Sequence, residues 1–134
     1  VEGIYGNNDK GGLGDLIQQL QPSEMNKVNI SASDMSILQQ GFYQVAHGTS
    51  GLTTGRAFSN GAAVSISGKT GTAESYVADG QQATNTNAVA YAPSDNPQIA
   101  VAVVFPHNTN LTNGVGPSIA RDIINLYNQH HPMN

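Results

Sequence analysis

Residues Ile99-Ala100-Val101-Ala102-Val103-Val104-Phe105 form an unbroken apolar run. It falls far short of the ~18 residues a membrane span needs, and its β-branched content reads as a strand. Successive side chains of a strand point to opposite faces. A strand apolar at every position is therefore apolar on both faces and needs cover on both. This predicts a layered fold, a sheet with helices on each side. Residues 84–92 read as a neighbouring strand, joined to the run by the turn Pro93-Ser94-Asp95-Asn96-Pro97. So short a connection implies antiparallel pairing. Ala63-Val64-Ser65-Ile66-Ser67 alternates as a third strand and leads into Gly68-Lys69-Thr70-Gly71-Thr72. A polar loop with Asp79-Gly80 follows that segment.

Helical signals surround these strands. Residues 6–12 are turn chemistry and read as a surface loop. Leu13, Leu16, Ile17 and Leu20 stand at i, i+3, i+4 and i+7, predicting a short helix that Pro22 stops. A second helix begins between Ser31 and Ser33. Ser31 and Asp34 have capping-box spacing, Met35, Leu38, Phe42 and Val45 form the apolar stripe, and Gly48 suits the end. Residues 48–61 carry Gly48, Gly51, Gly55 and Gly61 among Ser and Thr, predicting a tight glycine-shaped connection. After a polar loop from Pro106 to Gly116, a last helix runs from Pro117 to Gln129. Its expected buried face is Ile119, Ala120, Ile123, Leu126 and Tyr127, with Arg121 and Asp122 on the wet side. The expected fold class is α+β, an antiparallel sheet with helices on both faces.

Composition removes several functions. Charged residues make up 10% of the 134, against about 25% in an average soluble domain. Five Lys+Arg against nine Asp+Glu leave no basic patch for a phosphate backbone, so no nucleic-acid partner is expected. Zero Cys excludes disulfides, thiol catalysis and thiolate metal sites, and suits an extracytoplasmic bacterial protein. Val1-Glu2-Gly3-Ile4-Tyr5 offers no initiator methionine and reads like the inside or end of a strand, which points to a piece of a longer chain.

The segment Gly68-Lys69-Thr70-Gly71-Thr72 carries the chemistry. It holds one of three lysines, set between glycines and hydroxyls. Lys supplies a point charge, Thr hydroxyls donate to an anion, and glycine admits close approach to the backbone. Together these make a clamp for a carboxylate or phosphate. A glycine-containing bulge with a solvated lysine accounts for the same residues. The phosphate loop G-x-x-x-x-G-K-[ST] does not fit, because the position of its leading Gly is Ala63 and a following helix is weakly signalled.

Ser67-Gly68-Lys69-Thr70-Gly71-Thr72-Ala73-Glu74 resembles the K-T-G box of penicillin-recognising serine transpeptidases and β-lactamases, in the form typical of class B penicillin-binding proteins. The flanks resemble that family in the same order: a helix ending Val45-Ala46-His47-Gly48-Thr49-Ser50, the strand Ala88-Val89-Ala90-Tyr91-Ala92-Pro93, the turn Asp95-Asn96-Pro97 and a terminal helix. The resemblance covers nearly the whole chain and implies serine acyl transfer. A serine attacks the D-Ala-D-Ala carbonyl of a peptidoglycan stem peptide, an amine of a neighbouring stem takes the acyl group, and β-lactams mimic the peptide. It implies positive potential from Lys69, hydroxyl contacts from Thr70 and Thr72 to a terminal carboxylate, and one oxyanion-hole donor in the Thr72 N–H. The resemblance also implies that Gly71 lets the substrate lie along the strand edge. It implies no cofactor and no metal. The location implied is the extracytoplasmic face of the bacterial membrane, with the anchor outside this chain and division proteins as the partners the class usually serves. Glu74 stands where the family more often has Gln.

The departure from the family is equally specific. The nucleophile box S-x-x-K is missing, because Asn7, Glu24 and Ile66 stand three residues before Lys10, Lys27 and Lys69. The literal S-x-N at Ser94-Asp95-Asn96 falls after K-T-G, in a turn whose chemistry needs those residue types. Residues 1–134 are thus expected to be the C-terminal part of a transpeptidase domain whose serine lies upstream. The alternative is a non-catalytic cell-wall or peptide-binding module that retains the anion clamp. His47 at a helix end reads as a structural histidine, His107 lacks a second ligand nearby, and His130-His131 sit at a fraying end. Tyr76 and Asp79 either line the cleft or are ordinary loop residues.

Overall fold

The computed structural model describes residues 3–8, 10–21, 23–48, 54–109 and 114–133. The chain divides into two units, Val1–Ile30 and Ser31–Asn134. In the first unit, β1 (Gly3–Asn7) pairs antiparallel with β2 (Leu13–Gln19). The helix expected from Leu13 to Leu20 is therefore a strand. The apolar spacing fits a helix and not an alternating strand, so it is backbone pairing with β1, set up by the preceding turn, that decides. The Asn8 carbonyl accepts from Gly11 N at 2.9 Å and its side chain from Lys10 N at 2.9 Å, so a tight turn returns the chain onto β1. Gly14 completes the argument, since a Cβ there would lie 2.6 Å from the Gly6 carbonyl oxygen.

In the second unit, α1 (Ala32–His47) begins as expected. Ser31 Oγ accepts from Asp34 N at 3.1 Å, and the Gly48 N–H closes the helix on the Gln44 carbonyl at 2.8 Å. A sheet follows, ordered β3 (Ser67–Tyr76), β4 (Gln82–Ala92), β5 (Ile99–Asn108), antiparallel throughout. The sheet starts later than the sequence suggested, because residues 63–66 are not strand and Ser67 is the first paired residue. It also runs further, since backbone pairing carries Ala73–Tyr76 and Gln82–Asn85 although they are mostly polar. Gly80, at φ 79°, makes the turn between them.

The chain closes with α2 (Val115–His130). Each helix takes one face of the sheet. Phe42 of α1 meets the Tyr91 ring edge-on at 6.3 Å, while Gly116 of α2 sits against Ala88. Positions 88 and 91 of β4 point to opposite faces, so the α+β architecture with helices on both faces is as expected. The core between sheet and helices holds Phe58, Ile66, Ala46, Ala92, Ala120 and Ile124, all fully buried. The buried side of α2 is rotated from the expected one. Gly116, Pro117, Ala120 and Ile124 are buried, whereas Ile123 is 43% and Leu126 58% exposed. Small residues at 116 and 120 let the helix come close to the alanines of β4. Residues 49–53 of the expected glycine-shaped connection, 110–113 of the expected polar loop and Pro22 lie outside the described residues.

Candidate functional site

Lys69, Thr70, Gly71 and Thr72 lie inside β3, not at a strand exit. β3 pairs with β4 on one side and has no strand partner on the other among the described residues. The register is continuous, with Lys69 opposite Val89, Thr70 opposite Ala88, Gly71 opposite Asn87 and Thr72 opposite Thr86. Thr70 and Thr72 share one face and one edge direction of their backbone groups; Lys69 and Gly71 share the other. Thr70 is half-buried on the face that packs on α2, and Thr72, two residues on, is exposed. The Lys69 side chain turns back along the strand, and its Nζ donates to the Thr70 carbonyl at 2.6 Å. The ammonium therefore sits at backbone level, which is where lysine and threonines on opposite faces can address one ligand.

The two glycines of the box do different things. A Cβ at Gly68 would lie 2.8 Å from Phe58 Cζ and 2.8 Å from the Val89 carbonyl oxygen. What comes close to Gly68 is the protein's own core. A Cβ at Gly71 would meet only Asn87 Cβ, at 3.9 Å, so the space above Gly71 is open. Of the two, Gly71 leaves room for an incoming chain.

The start of β3 is pinned from several directions. His47 Nε2 lies 3.0 Å from the Ile66 carbonyl oxygen, tying the end of α1 to the residue before the strand. Ser67 is fully buried and its hydroxyl donates to Ser94 Oγ at 2.9 Å, while Ser94 N donates to Ser65 Oγ at 3.0 Å. The Ser94-Asp95-Asn96 triplet thus braces the β4–β5 turn against the entry of the box strand. At the far end, Ser75 Oγ and His107 Nδ1 are 2.7 Å apart and His107 N donates to Asn85 Oδ1 at 2.9 Å. These ties, and Phe58 beneath Gly68, were not predicted from sequence. A lone aromatic in a glycine- and serine-rich segment is the one signal that marked Phe58. Glu74, Tyr76 and Asp79 are exposed. No group of three or more possible metal ligands occurs among the described residues.

The sheet face that carries Lys69 is only partly covered. Val89 is 49% and Val104 62% exposed, and Met35 and Leu38 of α1 are also open. Two apolar cavities lie here, of about 310 Å³ against Phe42, Gly68 and Ala102 and about 410 Å³ against Met35, Leu38 and Pro97. Tyr91 borders both, and its buried hydroxyl has no hydrogen-bond partner among the described residues.

The chain and its fold are similar to known proteins. Residues 1–125 match the penicillin binding protein transpeptidase domain. The chain is 95% identical over its whole length to penicillin-binding protein 2B of Streptococcus pneumoniae serotype 2, and covers 20% of that protein. It is 35% identical over 95% of its length to penicillin-binding protein 2A of Bacillus subtilis, covering 18% of it. The chain therefore spans about a fifth of the length of the curated relatives it matches. A solved structure of penicillin-binding protein 2B from Streptococcus pneumoniae superposes with TM-score 0.78 at 95% identity, over 99% of this chain and 22% of that one. The penicillin-binding protein PBP2 of Pseudomonas aeruginosa superposes with TM-score 0.57 at 25% identity, over 99% of this chain and 27% of that one. With a K-T-G segment on an edge strand of the described sheet, helices on both faces of that sheet and a family match over residues 1–125, the chain belongs to the penicillin-binding protein transpeptidase family.

Proposed function

We propose that this chain is the C-terminal part of the transpeptidase domain of a peptidoglycan D,D-transpeptidase and supplies its K-T-G strand. The observation that carries this reading is the edge of β3, where Lys69 and Thr72 are exposed beside a glycine with open space above it. An extended stem peptide adds to this edge as a further strand and takes main-chain hydrogen bonds from it. Thr72, with Thr70 beside it, holds the terminal carboxylate by its hydroxyl, and Lys69 supplies positive potential. A serine in the rest of the protein attacks the carbonyl carbon of the penultimate D-Ala. The carbonyl oxygen becomes an oxyanion that the Thr72 N–H stabilises. The C–N bond then breaks, the terminal D-Ala leaves with a proton, and an amine of a second stem peptide takes the acyl group from the serine. A β-lactam enters the same path, but its leaving nitrogen stays tethered and the acyl-enzyme persists. The reading places the site at the extracytoplasmic face of the membrane, with the anchor elsewhere in the protein. Among the described residues no helix is long and apolar enough to cross a membrane.

The test is Lys69→Ala in the complete protein. The second-order rate of acylation by penicillin should fall steeply while the thermal melt is retained, since Lys69 is exposed and its ammonium donates to a carbonyl of its own strand. An unchanged acylation rate would remove Lys69 from the site.

A further inference from the structure

Ser36, Gln39, Gln40 and Tyr43 stand at i, i+3, i+4 and i+7 and make one stripe of α1. This stripe is polar, beside the apolar Met35–Leu38–Phe42 stripe. It lines one side of a groove of about 480 Å³, whose other side is Ser65, Ser94 and Asp95. That volume lies within the range of small-ligand sites. The far wall is preorganised, because Ser94 is held by both Ser65 and Ser67. Tyr43 is held by its neighbour as well: its ring stacks on His47 at 4.2 Å and 20°, and 42% of the residue stays exposed. Among the described residues the lining contains three hydroxyls, two primary amides, a phenol and one carboxylate, with no Lys or Arg. Hydroxyls and amides both donate and accept, which matches the hydroxyls and acetamido groups of a sugar. The missing cation excludes a phosphate or carboxylate as the main recognition element.

We propose that the groove between α1 and the Ser94–Asp95 turn is a binding site for a neutral glycan, separate from Lys69–Thr72 of β3. Amides and hydroxyls hydrogen-bond the sugar, and Tyr43 offers a rigid aromatic contact at small loss of rotamer freedom. In a protein that acts on stem peptides, such a groove would grip the sugar backbone that bears them. The proposal goes beyond the assignment of β3, and its test does not use the acyl-transfer reaction as readout.

The complete protein is titrated with tetra-N-acetylchitotetraose by calorimetry, with tetralysine and tetra-alanine as comparators. Saturable binding of the sugar is expected. In the Gln40→Ala/Asp95→Ala double variant it should weaken about tenfold, the loss of one or two hydrogen bonds. Both residues are exposed, and an unchanged melt and unchanged penicillin acylation would show that the fold is intact. Lys69→Ala should leave sugar binding as it is, which separates failure here from failure of the β3 assignment. Absence of saturable binding, equal binding by the double variant, or preference for tetralysine or tetra-alanine would each overturn the proposal.

Discussion

Lys69, Thr70, Gly71 and Thr72 were legible in the sequence as a candidate unit, a lysine set among glycines and hydroxyls. The division of labour among them was not. That Gly68 serves the core and Gly71 the open edge depends on Phe58, ten residues away in sequence, which no local pattern places beneath the strand. Gly68→Ala should therefore destabilise the complete protein by about 1–3 kcal/mol through overpacking against Phe58, read as a lower melting temperature, whereas Gly71→Ala should leave stability nearly unchanged. Equal melting temperatures for the two variants would refute the distinction. Thr72→Ala keeps the backbone donor and removes only the hydroxyl. Acylation by penicillin should weaken by about 1.5–3 kcal/mol, the worth of one charge-assisted hydrogen bond. The loss should be smaller with an uncharged thioester, which has no carboxylate to hold. Equal losses on both substrates would make the hydroxyl structural.

Among the elements, α1 and the β4–β5 pair were readable, since Ser31, Gly48 and the Pro93–Pro97 turn mark their ends chemically. Leu13–Gln19 was misread because four leucine and isoleucine positions fit helical spacing, and only pairing with β1 settles the period. In α2 the register was misjudged because large residues were expected to be buried. Close packing on the alanines of β4 instead turns Gly116, Ala120 and Ile124 inward, and Ile123 and Leu126 are left outside. Arg121 was expected on the wet side, yet its guanidinium reaches the Asn60 carbonyl at 2.7 Å and the Ala57 carbonyl at 3.4 Å. It ties α2 to the segment that carries Phe58. Arg121→Ala should cost about 1.5–3 kcal/mol in denaturant unfolding. Asp122→Ala removes only an ion pair at 2.8 Å whose carboxylate is exposed, and should cost about 0–1 kcal/mol. A larger loss at Asp122 than at Arg121 would reverse this assignment.

At the scale of the molecule, the strand that is apolar on both faces has one face well covered and the other largely open. Along β5, Ile99, Val101, Val103 and Phe105 turn toward α2, while Ala100, Ala102 and Val104 are exposed. Together with Val89, Met35, Leu38 and the unpartnered Tyr91 hydroxyl, they form a surface suited to burial against further protein. Residues 1–134 expressed alone should accordingly bind an apolar-surface dye and melt without a sharp transition. A cooperative melt without dye binding would mean that the surface needs no cover. The proposed division of the active site between this segment and the rest of the protein is tested by where penicillin attaches. Label the complete protein with fluorescent penicillin, digest it and map the adduct. The modified residue should be a serine outside residues 1–134, and Lys69→Ala should abolish most of the labelling. A stable adduct on any serine within this segment, Ser94 included, would contradict the account.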